Sequence, residues 1–108
     1  MANATAVTTN RGREQFHGIF NEMWEVRATI DVDSLLTGAS DTDTVAVPGV
    51  ALGDIVMGIS AGVDTVDTVI GGAVTAANTV TLTVLNNSAG AVDLASTTLK
   101  FIVVRPAF

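Results

Sequence analysis

Nine consecutive residues, Trp24 to Val32, alternate without a break between apolar and polar. Trp24, Val26, Ala28, Ile30 and Val32 fall on one side, and Glu25, Arg27, Thr29 and Asp31 on the other. Successive side chains of an extended chain point to opposite faces, so a strict period of two specifies a strand with one buried and one wet face. A second run repeats the pattern, with Val80, Leu82 and Val84 alternating with Thr79, Thr81 and Thr83 before small polar residues break it. Val, Ala and Thr dominate the chain, and branching at Cβ suits the pleated, half-buried surface of a sheet.

Further strands follow from the same reading. "TVAV" is a short one, closed by the turn dipeptide Pro48-Gly49 after a loop-like Leu36–Asp43. "DIVMGIS" is another, with Ile55, Met57 and Ile59 expected inward. "AGVDTVDTVIGGAVTA" holds one or two short strands, bent where Gly71-Gly72 favours a bulge or corner. The last strand, "TLKFIVVR", ends at Pro106 and is apolar on both sides: Leu99, Phe101 and Val103 face one way, Ile102 and Val104 the other. Such a strand is central, or its outer face meets another subunit. Six or seven short strands with frequent turns predict an all-β single domain, an antiparallel β-sandwich or jelly-roll-like fold over 23–108. Residues 1–22 read as an extended N-terminal arm, because Gly18 interrupts the helical spacing of Phe16, Ile19, Phe20 and Met23.

Charge and composition exclude several functions. Five basic residues stand against eleven acidic ones, a net charge of −6, so a phosphate backbone is repelled and nucleic acid is not an expected partner. Cysteine is absent, which removes disulfides, thiolate chemistry and cysteine metal sites. No apolar run approaches the roughly 18 residues of a spanning helix, and the N-terminus lacks the charge and apolar core of a signal peptide. Synthesis in a cytoplasm, with no membrane partner, is the expectation.

Catalytic constellations are equally scarce. His17 is the one histidine and lies in the arm, without a fixed partner for general base work. The serines, Ser34, Ser40, Ser60, Ser88 and Ser96, include none in a Gly-x-Ser-x-Gly elbow. Asp31 with Asp33, and Asp41 with Asp43, have the alternate spacing of calcium ligands but lack the Gly and closing Glu of a calcium loop. These, with Asp64 and Asp67, read as solvated loop acids. Trp24 could stack on a sugar or base, but its register with Val26 and Ile30 places it in the core. The chain is read as no enzyme, with no cofactor and no metal.

One resemblance extends this reading. "VAVPGVALGDIVMGIS" followed by "GGAVTAANTVTLTVLNNSAGAVDLASTTLKFIVVR" resembles a pattern of small structural proteins of tailed bacteriophages. The matching positions are Val47-Pro48-Gly49, Ala51, Gly53-Asp54 and Val56, then Ala76 to Thr81, Asn86, Ala91, Asp93, Ala95-Ser96 and Val103, within a cover of 45–105. Leu82 to Leu85 depart from it, where many relatives carry Arg before the Asn. The resemblance implies a β-sandwich of the virion: a capsid decoration (cement) protein on the head surface, made in the host cytoplasm, with the major capsid protein as partner. The alternative is a tail- or fibre-associated protein or adhesin domain that binds a host surface. Together with the doubly apolar last strand, the resemblance implies a homotrimer, with Ile102 and Val104 at the subunit interface. The arm lies outside the recurring pattern. Its apolar Phe16, Ile19 and Phe20 are costly to leave in water, so they are the expected capsid anchors, with Arg11 and Arg13 setting register.

Overall fold

The structure, a computed structural model, describes residues 5–12 and 20–107. Seven strands run in chain order: β1 (Thr5–Gly12), β2 (Phe20–Ile30), β3 (Ser40–Ala46), β4 (Ile55–Ala61), β5 (Thr68–Ala76), β6 (Thr79–Asn86) and β7 (Thr97–Pro106). They form two antiparallel sheets, one in the order β1-β2-β7-β4 and one in the order β3-β6-β5. The chain is an all-β sandwich.

The period of two builds its core. Trp24, Val26, Ala28 and Ile30 of β2 and Leu99, Phe101 and Val103 of β7 meet Val45 of β3 and Val80, Leu82 and Val84 of β6 in one buried cluster. Each large aliphatic or aromatic side chain so buried contributes about 1.5–3 kcal/mol relative to exposure. Strand β7 is central, hydrogen-bonded to β2 on one side and to β4 on the other, which explains its apolar character. Leu35 and Leu94 extend the core beyond the strands, where Leu35 N donates to Val92 O and Val92 N to Leu35 O.

Four expectations change. Thr5–Gly12, expected in a free arm, pairs with β2 from Thr5 opposite Thr29 to Gly12 opposite Met23, and β2 itself begins at Phe20. The open edge of β2 offers its backbone groups to any β-competent segment, and "TAVTTN" is one. Strand β3 begins at Ser40 rather than Thr44, and its inward positions include Asp43, which is 3% exposed, so this residue is not a solvated loop acid. Two aspartates at alternate positions hide the strand's period from hydropathy alone. Ile55 and Met57 face out, 44% and 43% exposed, because the register of β4 against β7 shifts between Met57 and Ser60. Gly58, at φ +68°, absorbs that bulge, and beyond it Ile59 packs against the core. Finally, β5 passes straight through Gly71-Gly72, and its irregularity lies between Val74 and Ala76.

The sandwich has two distinct ends. Loops 31–39, 62–67 and 87–96 gather at one, and the turns 47–54 and 77–78 at the other.

Candidate functional site

One group of the residues behind the phage resemblance, Val47 to Asp54 with Asn78, converges on the second end, while Asn86, Ala91, Asp93 and Ala95-Ser96 lie at the first. Val47-Pro48-Gly49-Val50 has the pattern of a type II turn, with Gly49 at φ +98° and Val50 N donating to Val47 O at 3.4 Å. Ala51 to Asp54 repeats it, with Gly53 at φ +99° and Asp54 N donating to Ala51 O at 3.1 Å. Asn78, itself left-handed at φ +61°, ties the first turn to the β5–β6 hairpin: its Oδ1 accepts from Gly49 N at 2.8 Å, and its backbone N donates to Val50 O at 2.8 Å.

Arg105 locks this end. Its Nε and Nη2 donate to Oδ1 and Oδ2 of Asp54 at 3.0 and 2.9 Å, and Nη2 also reaches Gly49 O at 2.9 Å. Asp54 Oδ2 accepts in addition from Ala51 N at 2.9 Å. The guanidinium lies 5.2 Å from the centroid of Trp24, whose indole Nε1 donates to Pro48 O at 3.1 Å. Hydrogen bonding to Asp54 holds the Arg105 pKa above its ordinary value; partial burial opposes this, and the charges of Asp54 and Glu22 reinforce it. Every polar group of the clasp has a use within the fold. It builds structure and presents no reactive group.

The surfaces offer more. On the outer face of β3-β6-β5, Ser40, Thr42, Thr44 and Ala46 line up beside Thr79, Thr81, Thr83 and Leu85, and then Val69, Gly71, Ala73 and Thr75. That face carries no charge. Thr75 and Thr81 hydroxyls meet at 2.7 Å, and Val69 and Leu85 are the large apolar side chains exposed there.

The outer face of β1-β2-β7-β4 differs. Arg27 and Lys100 stand directly opposite each other on β2 and β7, with Glu25 opposite Ile102 in the next row. Between the two rows runs an open groove of about 370 Å³, with Thr8 and Gly58 at its ends and Val26 and Phe101 along its floor. Further along, Met23, Val104 and Ile55 form an apolar row across the three strands. The first end of the sandwich is acidic: Asp31, Asp33, Asp64, Asp67 and Asp93 are all exposed, and loops 31–39, 62–67 and 87–96 contain no Lys, Arg or His.

The expected contact residues fare differently. Arg13, Phe16 and Ile19, like His17, lie outside the described residues. Arg11 sits in β1 opposite Trp24, and Phe20 opens β2, half-buried opposite Pro106. Ile102 is half-buried on the outer face. Val104 is 1% exposed within the single chain, between Met23 and Ile55, so it has no area left for a subunit contact. The exposed apolar area on this face belongs instead to Ile55 and Met57. Alternation in the sequence already turns Arg27 and Lys100 outward, but only the β2–β7 register makes them neighbours. Among the described residues no group of three or more His, Cys, Asp or Glu is placed to hold a metal ion, and no helix is long and apolar enough to cross a membrane. Comparison with family models, with curated proteins and with solved structures finds no match for this chain.

Proposed function

We propose that this chain is a bacteriophage capsid decoration protein, which binds the outer surface of the head and strengthens contacts between major capsid subunits. The observation that carries the reading is the clasp. Pro48, Gly49, Ala51, Gly53, Asp54 and Asn78, six residues of the phage-like pattern, interlock through backbone and side-chain bonds at one end of the sandwich. This part of the resemblance falls on residues that build the fold, which supports reading it as a likeness of architecture.

The uncharged Thr-rich face and the exposed Ile55 and Met57 fit a protein whose work is contact with other proteins. Binding only to the assembled shell stabilises it by mass action, and an oligomer, proposed here as a homotrimer, adds avidity. No chemistry is required of the chain, which on this reading is not an enzyme and needs no cofactor.

Heads purified without the protein provide the test. Added chain should co-sediment with them at saturable occupancy and raise the temperature at which they release DNA. Failure to bind heads, with binding to tails or to the host surface instead, would replace this reading with the adhesin one.

A further inference from the structure

Arg27 and Lys100 point out side by side from the middle of a sheet. Like charges directly opposite each other on neighbouring strands destabilise the pairing. Among the described residues no carboxylate forms an ion pair with either of them. They wall an open groove whose other side is Glu25 and Ile102 and whose end is free of side chain at Gly58. A cationic wall beside an apolar residue calls for an occupant that brings carboxylates flanking a small apolar group.

The chain carries such a group on a different part of its surface. In the turn before β5, Val66 is 50% exposed between Asp64 and Asp67. Val66 and Asp67 both adopt left-handed backbone, at φ +48° and +61°, and Asp64 Oδ1 holds the turn by accepting from Val66 N at 3.0 Å. A β-branched residue at positive φ is strained, and here the strain holds an apolar side chain out in solvent between two carboxylates.

We propose that the Arg27–Lys100 groove receives the Asp64–Asp67 turn of a second copy of this chain. Val66 enters beside Ile102 and Met57, and the two carboxylates meet the two cations. The inference rests on the reading of the chain as a self-assembling structural protein and names the surfaces it would use. Charge selects the geometry. Two copies meeting face to face would set four cations against two Glu25 carboxylates, whereas the acidic turn offers a carboxylate for each of Arg27 and Lys100. The acidic end, with five exposed aspartates and no cation in its loops, is the complementary surface. Groove and turn are different patches, so the contact is heterologous and either closes into a ring or propagates.

Sedimentation equilibrium of the full chain tests this. The wild type should associate reversibly, and more weakly as salt screens the contact. Arg27→Glu with Lys100→Glu should raise the dissociation constant at least about tenfold. Asp64→Asn with Asp67→Lys should do the same, and the amide oxygen introduced by the first change can still accept the turn bond from Val66 N. Combining all four substitutions restores one of the two charge pairs, Asp67→Lys against the new glutamates, and should recover part of the lost affinity, binding more tightly than either double variant. Val66→Gly relieves the strain and removes the knob, so association should fall while the thermal midpoint holds or rises. Circular dichroism of each variant separates misfolding from dissociation, and Arg27→Gln with Lys100→Gln replaces any pair that fails to fold. A wild type that stays monomeric, an oligomer indifferent to the groove reversal, or a combined variant that stays dissociated would each overturn the proposal. A wild type that binds heads but does not self-associate would sink this contact alone. Loss of head binding with self-association retained would sink the decoration reading alone.

Discussion

Asn86 shows how much one buried polar side chain can organise. It is fully buried, and its amide donates to Leu35 O and Gly90 O at 2.9 Å each, while Oδ1 accepts from Ser88 N at 2.9 Å and Ser88 Oγ at 2.7 Å. Two loops, 31–39 and 87–96, are thereby tied to the end of β6. Asn86→Ala would remove all four of these bonds, taking the Asn86 acceptor from Ser88 N while Leu35 O keeps Val92 N and Gly90 O keeps Ser88 Oγ, so we expect a loss of about 2–3 kcal/mol. In thermal unfolding that corresponds to a fall on the order of 10 °C or more. A change near zero would mean that water replaces the amide. At the opposite end, Arg105→Lys keeps the charge but loses the fork on Asp54 and the stack on Trp24. The Arg105 side chain is about a third exposed, so solvent screening limits the expected loss to about 1–2 kcal/mol by chemical denaturation. Its raised pKa also fixes the sign of its pH dependence. A cation stabilised on folding contributes fully below its unfolded pKa and is lost only as pH rises through the higher folded one. The arginine side of the clasp therefore does not titrate near neutrality.

At the scale of elements, the strands that the sequence announces most clearly are those with an unbroken period and one dry face, β2 and β6. The doubly apolar β7 is legible as central or as an interface strand, and pairing on both sides decides for central. Strand β4 is legible as a strand but not in its facing. A bulge at Gly58 puts Met57 and Ile59 on opposite sides, and no hydropathy pattern encodes a backbone dihedral. Strand β1 escapes a sequence reading because its partner, the edge of β2, lies elsewhere in the chain. The candidate surfaces are less legible still. The Arg27–Lys100 pair exists only through register, and the clasp motif is visible as a pattern without its reason. Two adjacent glycines give a direct check of the packing. A Cβ on Gly72 would lie 3.0 Å from Leu82 Cδ2, 3.2 Å from Val56 Cγ1 and 3.4 Å from Ile59 Cδ1, between β5 and β4. A Cβ on Gly71 meets nothing within 4 Å. Gly72→Ala should therefore destabilise by about 1–3 kcal/mol through overpacking. Gly71→Ala should be neutral or stabilising by up to about 1 kcal/mol. Equal effects in urea unfolding would contradict the close approach of the two sheets.

For the whole molecule, the pairing of β1 changes how the proposed N-terminal anchors must be tested. Deleting residues 1–20 would strip a strand from the sheet along with any capsid contact, so substitution is the cleaner probe. Phe16→Ala with Phe20→Ala should weaken head binding strongly, since each docked aromatic contributes about 1.5–3 kcal/mol before the cost of ordering. Arg11→Ala with Arg13→Ala should weaken it only modestly, and more at low salt, because exposed ion pairs add about 0–1 kcal/mol each. Titration of fluorescent protein onto heads ranks the two pairs, and a dominant effect of the arginines would reverse the assignment.

The central claim is a place on the virion, and a reconstruction of the intact particle bears on it most directly. Density for this two-sheet sandwich is expected in repeated copies on the outside of the head, over junctions between major capsid subunits. Density for it only on the tail or its fibres, or on no part of the particle, would contradict that claim.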